Sequence, residues 1–330
     1  MLLRIFLRGL LLIAGLVHLV RPDLFFQAMP FPQKLLLNYA AGVWEILLAL
    51  GLWHPRSRDH AARGAALWFL ILTPIHVYVS LKGIAIFGVS DPFWLWIRTA
   101  LQAPLIFMAL SLQDRGWIIS QRWSDVLFLH YEVDVQELQK LVPYPLDLFE
   151  GKAVVGIVPF VMGHIRFPFL PAIPGLSKLF ELNLRTYVLI AGRPAVYFLT
   201  LDSNHLPGVL IARTFFGLPY RWRSMRLKHK ELYRFESAAF KLEAKINQTP
   251  ATSEFDLWAT ERYALVTRVF GMDLIGVVEH EPWKLTKAEL LKIQDDFIAT
   301  LGVTKIASSP MAVSYARELT VRFRPFRKLK

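Results

Sequence analysis

The chain has 330 residues, of which 54% are hydrophobic and 19% are charged, with a net charge of +12. Ordinary soluble domains have about 45–50% apolar residues, so part of this chain is predicted to lie in lipid. The low charge density and the 13% aromatic content exclude intrinsic disorder. The absence of cysteine excludes disulfides, thiolate nucleophiles, thiolate zinc sites and cysteine-ligated iron–sulfur clusters.

Four long apolar segments occupy the first third of the chain. Each is about long enough to cross a hydrocarbon core of about 30 Å as a helix. The segments are Leu2–Val20, Leu35–Trp53, Ala65–Phe87 and Phe93–Leu112. We therefore predict an all-α four-helix transmembrane bundle over residues 1–112, a linker over 113–122 and a second domain over 123–330.

The basic residues predict how these segments are oriented. They are concentrated at the start of the first segment and in the second loop: Arg4, Arg8, Arg56, Arg58 and Arg63. The positive-inside rule places the N-terminus, this loop and everything after Leu112 in the cytoplasm. The predicted location is a bacterial-type inner (plasma) membrane, in a multi-pass protein.

Several polar residues lie within the predicted spans: His18, Asn38, Glu45, His76, Arg98 and Gln102. An ionisable group at bilayer depth costs at least ~2.5 kcal/mol, so it normally faces the bundle and has a partner. Glu45 is the deepest, and two interpretations stay open. It is either a proton-carrying or ligand-contacting carboxylate, paired with His18, His76 or Arg98, or a polar contact that only fixes helix packing.

Two of these segments resemble a known family. The runs GLVHLVRPD from Gly15 and NYAAGVWE from Asn38 resemble the DoxX-like four-helix membrane proteins, over roughly residues 5–112. For some members this implies quinol oxidation or membership of membrane oxidoreductase complexes. The alternative function is therefore an accessory subunit of a quinone-linked oxidoreductase, with a quinone near Glu45 and His18 and the second domain as a docking module.

After residue 122 the pattern changes to short segments rich in Val, Phe, Tyr and Thr, which predict strands. These are Val126–Val133, Ala153–Met162, Leu182–Ile190, Ala195–Leu201 and Tyr263–Phe270. Helices are predicted at Val135–Leu141 and at 286–301, the latter from a Thr286–Glu289 capping box, an apolar stripe and a stop at Gly302. Many strands with few helices predict an α+β, mainly antiparallel β domain.

One predicted strand carries an unusual face. The strand period of two places Glu181, Asn183, Arg185 and Tyr187 on the same side. We predict a pocket for a small polar or anionic ligand, with Glu181 and Arg185 as the catalytic residues, Arg185 anchoring charge and Glu181 acting as acid or base. The alternative is a solvent-exposed face on which Glu181 and Arg185 form a surface pair of little energetic value.

Three further residues are predicted to bind the substrate together with Asn183 and Tyr187. They are Arg213, Tyr220 and His280, each beside aromatic residues. A lone histidine such as His280 is more often an ordinary hydrogen-bonded residue, so this alternative stays open. No hydrolase signature and no metal-ligand spacing accompanies these residues.

Five separated motifs resemble, in order, the YqjF-like domain of unknown function, over about residues 117–326. They are WSDVLFLH from Trp123, IVPF from Ile157, ELNLRTYV from Glu181, GLPY from Gly217 and HEPW from His280. The resemblance implies an acetoacetate decarboxylase-like fold, a β-rich cone whose central pocket is lined by Glu181 and Arg185. Acetoacetate decarboxylases carry Pro-Lys-Lys where this chain has Pro219-Tyr220-Arg221, and tyrosine cannot form the Schiff base.

Two basic segments, Arg221–Lys230 and Arg322–Lys330, explain much of the net charge. They suit nucleic acid, the anionic inner leaflet of a membrane, or a solvated strand edge and tail. Because nothing specific to base reading appears, the predicted partners are the lipid bilayer and an unknown small organic ligand, without nucleic acid. A membrane oxidoreductase subunit is the partner under the alternative function, and a purely structural membrane anchor is a third hypothesis. No cofactor other than the quinone and no metal is predicted.

Overall fold

The computed structural model describes residues 2–28, 32–113, 116–168, 172, 178–269 and 271–329. The chain divides into two compact units, Met1–Ile118 and Ile119–Lys330. The first strand of the second unit begins at Ile119, inside the segment predicted as a linker. Four residues of predicted segments lie outside the described residues: Asp114, Arg115, Phe270 and Lys330.

Helices form the first unit, with bounds α1 Leu2–Val20, a 3-10 helix Pro22–Ala28, α2 Lys34–Gly51, α3 Arg58–Lys82, α4 Pro92–Ala100 and α5 Gln102–Ser111. Among the described residues, four stretches are long and apolar enough to cross a membrane: Leu3–Val20, Lys34–Gly51, Arg58–Lys82 and Pro92–Ser111. The predicted fourth span is thus divided in two. Pro104 explains the break, because it has no N–H to donate to the carbonyl of Ala100.

The α1 and α2 helices touch through their backbones. A Cβ atom built on Gly15 would lie 2.7 Å from the carbonyl oxygen of Gly42, and one built on Gly42 would lie 2.8 Å from that of Gly15. Only glycine permits such an approach, which is a common way for apolar helices to associate. The contact fixes the separation of the polar side chains that these two helices carry nearby.

The second unit is built mainly from strands. Their bounds are β1 Ile119–Val133, β2 Ala153–Arg166, β3 Lys178–Ile190, β4 Arg193–Ser203, β5 Tyr220–Trp222, β6 Met225–His229, β7 Tyr233–Ser237, β8 Phe240–Pro250, β9 Ala264–Val269, β10 Met272–Glu279, β11 Leu285–Asp295, β12 Ala312–Phe323 and β13 Arg327–Lys328. Helices α6 Val135–Leu141, α7 Leu206–Phe216 and α8 Glu254–Thr260 and a 3-10 turn Ile298–Leu301 connect them. All five predicted strands and the first predicted helix are confirmed, and the pairing is mainly antiparallel.

Seven strands close into a ring in the order β10-β9-β4-β3-β2-β1-β12, because β10 also pairs with β12. From β12 the sheet continues outward through β11, β8, β7 and β6. One apolar cluster takes a residue from each of six ring strands: Val154, Tyr187, Val196, Leu265, Val278 and Val321. This cluster contains no residue of β6, β7 or β8, which lie outside the ring, whereas the largest apolar cluster, which also joins ring strands, includes residues of all three. It therefore marks the interior of the ring.

The helix predicted at 286–301 is wrong. Residues Leu285–Asp295 form β11, which pairs with both β8 and β12, and a single 3-10 turn follows. The apolar residues Leu290 and Ile293 have helical spacing, but a short apolar segment does not by itself distinguish a helix from a strand. Pairing with two neighbouring strands outweighs the local preference. Only the 3-10 turn ends at the predicted stop, Gly302, where φ is +68°.

Candidate ligand-binding site

The polar row predicted on β3 lies inside the ring. Glu181, Asn183, Arg185 and Tyr187 are all buried, and Tyr187 belongs to the interior apolar cluster. The alternative of a solvent-exposed face with a surface ion pair therefore does not hold. Glu181 and Arg185 are four residues apart on an extended strand, so their Cα atoms are separated by about 13 Å. The row has an acidic end and a cationic end.

Glu181 and Tyr220 form the acidic end. The Tyr220 hydroxyl donates to Glu181 Oε2 at 2.5 Å, and Asn183 Nδ2 donates to Oε1 at 3.5 Å. Burial raises the pKa of Glu181 to about 7, although both hydrogen bonds oppose this. Burial and the adjacent carboxyl hold the pKa of Tyr220 well above its ordinary value. Glu181 can therefore exchange a proton near neutral pH while Tyr220 keeps its own.

Arg185 forms the cationic end, and it is only 7% exposed. Its Nε donates to the Tyr187 hydroxyl at 3.3 Å and its Nη2 to the Ala259 carbonyl at 3.4 Å, both long bonds. The guanidinium lies over the rings of Phe128 and Tyr187, 5.3 and 5.6 Å from their centroids. Among the described ion pairs, none joins Arg185 to a carboxylate, so its buried charge lacks an anion.

Sequence reasoning missed His130. Its Nε2 lies 2.7 Å from the Tyr187 hydroxyl, and its ring stacks parallel to Phe128. Burial, Arg185 and Arg262 hold the pKa of His130 well below its ordinary value, so the ring is neutral. The strand alternation in β1 could have indicated it, since His130 falls on the same side as Phe128.

The segment that follows α8 supplies a second arginine beside the row. Arg262 forms an ion pair with Asp147 through Nη1 and donates from Nε to the Trp258 carbonyl at 2.6 Å. Its guanidinium lies 4.9 Å from the Tyr187 ring centroid and 4.5 Å from that of Trp258. The Tyr187 ring thus contacts two guanidinium groups, and Asp147 neutralises one of them.

Three buried polar atoms near the row have no hydrogen-bond partner among the described residues: Asn183 Oδ1, Arg262 Nη2 and Trp283 Nε1. Trp283 packs edge-on against Phe128, with ring centroids 5.1 Å apart. An unpartnered buried polar atom costs about 1–3 kcal/mol, so each of these atoms requires an explanation. Two donors and one acceptor are therefore free for a ligand.

Arg213 does not join this site, because it is exposed on α7 with no described contact to the row. His280 lies at the edge of the site: its Nε2 is 3.4 Å from the Arg262 carbonyl, and its ring centroid is 5.4 Å from that of Trp283. His280 also stacks on Tyr263 and lines an outer cleft of about 480 Å³.

Tyr220 and Arg221 replace the two lysines of the Pro-Lys-Lys motif expected from the resemblance to acetoacetate decarboxylases. Tyr220 points to Glu181, and Arg221 pairs with Asp202 at 2.6 Å. Across the described ranges no lysine is buried.

The helical unit contains a second polar cluster. Asn38 donates from Nδ2 to the His18 carbonyl and pairs through Oδ1 with His18 Nδ1, both at 2.6 Å. Trp68 donates to Glu45 Oε1 at 2.9 Å, while Glu45 Oε2 lies 3.9 Å from His18 Nε2. Of the predicted partners of Glu45, His18 is the one placed beside it. In the described part, no contact favours a quinone over another ligand.

His76 and Arg98 lie apart from this cluster. His76 Nδ1 pairs with Gln102 Nε2 at 3.3 Å, and the His76 carbonyl accepts from Thr99 at 3.2 Å. The two polar groups of the helical unit share α3, which carries Trp68 of the first group and His76 of the second.

Comparison with known proteins places the second unit. Residues 120–320 match the model of DUF2071, "Uncharacterized conserved protein (COG2071)". The "Uncharacterized protein YqjF" of Bacillus subtilis (strain 168) is 38% identical over 232 residues, which is 66% of this chain and 96% of that relative. The chain belongs to the DUF2071 family. The predicted YqjF-like resemblance is confirmed. Residues 7–113 match a different model, the domain of unknown function DUF8561, and the DoxX-like resemblance is not shown.

The DUF2071 domain has acetoacetate decarboxylase-like structural neighbours. The acetoacetate decarboxylase of Legionella pneumophila is 15% identical with a TM-score of 0.48, covering 65% of this chain and 87% of its own. An acetoacetate decarboxylase-like enzyme from Sphingomonas wittichii RW1 is 14% identical with a TM-score of 0.47, covering 66% and 95%. The enduracididine biosynthesis enzyme MppR complexed with pyruvate is 10% identical with a TM-score of 0.45, covering 66% and 93%. At 10–15% sequence identity, these likenesses concern the fold alone.

Proposed function

We propose that the DUF2071 domain binds a small organic anion inside its ring and exchanges a proton with it. We further propose that the apolar helices hold this domain at a membrane. The observation that supports the first proposal most is the charge of Arg185. A buried charge normally has a partner of opposite sign, because leaving it unpaired in a low-dielectric interior is costly.

Charge accounting around Tyr187 favours an anion. Arg185 and Arg262 bring two positive charges to its ring, and Asp147 supplies one negative charge. His130 is neutral, and Glu181 at the far end of the row holds its proton up to about pH 7. One negative charge on a ligand beside Arg185 would make the interior neutral.

The surrounding groups suggest the chemical class of this anion. Arg262 Nη2 and Trp283 Nε1 are free donors, which suit the oxygens of a carboxylate or an enolate. Aromatic rings line the same region, among them Phe128, Trp258 and Trp283. A small, largely apolar organic acid fits both features, because its oxygens would meet the donors and its carbon skeleton the rings.

Glu181 is the proposed proton-transfer group. A general acid or base works best when its pKa lies near the working pH, and the pKa of about 7 meets this requirement. Tyr220 holds the carboxyl in place through its 2.5 Å hydrogen bond. Because tyrosine cannot form a Schiff base, the proposal is a ligand held non-covalently that undergoes proton transfer.

The membrane proposal rests on the four apolar stretches of the helical unit. Large apolar side chains point outward from these helices, for example Ile13, Leu36 and Leu81, each more than 60% exposed. Water would penalise such a surface, whereas lipid would not. Under the positive-inside rule, the basic residues near α1 and around the start of α3 favour a cytoplasmic N-terminus and a cytoplasmic DUF2071 domain, which is part of this proposal.

Native mass spectrometry of residues 116–330 tests the anion proposal. The fragment corresponds to a compact unit and to almost the whole length of the Bacillus subtilis relative, so it should fold alone. We expect a co-purified small organic acid that is lost in Arg185→Ala and retained in Arg193→Ala, a matched change of an exposed arginine on β4. Equal retention in both variants, or an empty and folded wild-type domain, would overturn the proposal.

A further inference from the structure

Helix α7 presents an apolar face to solvent. Leu206, Leu210 and Ile211 are 43%, 57% and 52% exposed, whereas Val209 packs into the domain. The helix carries a single charged residue, Arg213, which is also exposed. Surface helices of soluble domains normally place charged residues outward, so an apolar outward face indicates a partner.

An exposed tryptophan extends this face. Trp222 on β5 is 58% exposed, and its indole nitrogen donates to the Asn204 carbonyl at 3.3 Å. That bond holds the ring beside the start of α7, two residues before Leu206. The next residue, Arg223, is exposed and donates its backbone N–H to the Ser203 carbonyl at 3.0 Å. We call Leu206, Leu210, Ile211, Arg213, Trp222 and Arg223 the α7 surface.

We propose that the α7 surface docks on the headgroup region of an anionic lipid membrane. Leucine and isoleucine side chains would enter the boundary between headgroups and acyl chains, where tryptophan is also favoured. The two arginines would contact anionic headgroups, which attract basic residues next to a membrane. The run from Tyr220 to Lys230 contains no acidic residue that would oppose this attraction.

Two observations favour lipid over a second copy of this chain. In a twofold dimer the same patch meets itself, so both copies would bring Arg213 and Arg223 into one interface. Like charges across an interface are unfavourable, and the patch offers no carboxylate to compensate them. The same chain also carries apolar stretches of membrane length, so a membrane would be a constant neighbour of this domain.

Vesicle co-sedimentation of residues 116–330 tests the proposal. The probes are vesicles of phosphatidylglycerol with phosphatidylcholine, and vesicles of phosphatidylcholine alone. We expect binding to the anionic vesicles that weakens with added salt, and at least tenfold weaker binding to the neutral ones. Leu210→Ser with Ile211→Ser should abolish binding, and each of Arg213→Gln and Arg223→Gln should weaken it about fivefold.

The matched control substitutions lie on β8 and β11, outside the α7 surface. Leu291→Ser with Ile293→Ser changes two similarly exposed apolar residues on β11, and Lys241→Gln changes an exposed basic residue on β8. These variants should bind like wild type. Equal loss in the controls, or a wild-type domain that does not bind anionic vesicles, would overturn the proposal. So would self-association in sedimentation velocity that Leu210→Ser abolishes, since that result assigns the surface to a second copy.

Discussion

Replacing Glu181 by glutamine tests whether the carboxyl inside the ring keeps its proton. Glutamine has nearly the same shape, and its amide oxygen still accepts the hydrogen bond from Tyr220. The substitution removes the titration of this side chain, because an amide does not ionise. The wild-type carboxyl has a pKa of about 7 in the folded domain against an ordinary value of 4.5. Burial is the main cause of this difference.

The sign of the effect follows from proton linkage. Between the two pKa values the folded domain binds more protons than the unfolded chain, so its stability falls as pH rises. The contribution is fully present below the unfolded value and lost as pH passes through the folded one. A pKa difference of about 2.5 is worth about 3.4 kcal/mol, of which about 2.5 kcal/mol falls between pH 5 and pH 8.

Urea denaturation of residues 116–330 between pH 5 and pH 8 measures this effect. Glu181→Gln should gain about 2.5 kcal/mol of unfolding free energy relative to wild type over that range. Glu137→Gln is the control, because hydrogen bonds from Thr304 and Lys305 lower the pKa of that exposed carboxyl, so its titration lies below this range and its difference from wild type should stay constant. A difference between wild type and Glu181→Gln that stays constant from pH 5 to pH 8 would refute the reasoning.

Three further substitutions have defined outcomes. Gly156→Ala places a methyl group 3.1 Å from the His130 ring, so we expect a loss of about 1–3 kcal/mol in urea denaturation. Arg221→Ala leaves the buried Asp202 carboxylate unpaired and should cost about 3–5 kcal/mol, most of which adding Asp202→Asn restores; no recovery in the double variant would contradict this. Gly42→Ala presses a methyl group against the α1 backbone and should lower the thermal stability of the full chain in detergent, whereas Gly9→Ala, with open space around it, should not.

The polar row of β3 could be predicted because it depends on local backbone geometry alone. Once Glu181–Val188 is a strand, alternation places Glu181, Asn183, Arg185 and Tyr187 on one side, whatever the rest of the fold. Alternation does not decide whether that side is buried, so a solvent-exposed face stayed an alternative until the closed ring was known. The same local reasoning failed at β11, where two neighbouring strands determine the structure of a segment with helical spacing.

The other parts of the site depend on ring closure. Asp147 reaches Arg262 from 115 residues away, and His130 reaches Tyr187 from 57 residues away. No local pattern encodes such contacts, because they follow from which strands become neighbours. Arg213 was predicted to bind substrate from its position just before the GLPY motif. It lies on α7, however, and its side chain is exposed to solvent.

The pairing of β1 with β12 also has a consequence during synthesis. Asp125 and Tyr315, which are hydrogen-bonded across this pair, are 190 residues apart. During synthesis, one edge of β1 therefore stays unpaired until β12 has been made. Such non-local strand pairing is slow. The helical unit is complete long before that moment. Its helices can therefore form first, and the ring closes afterwards.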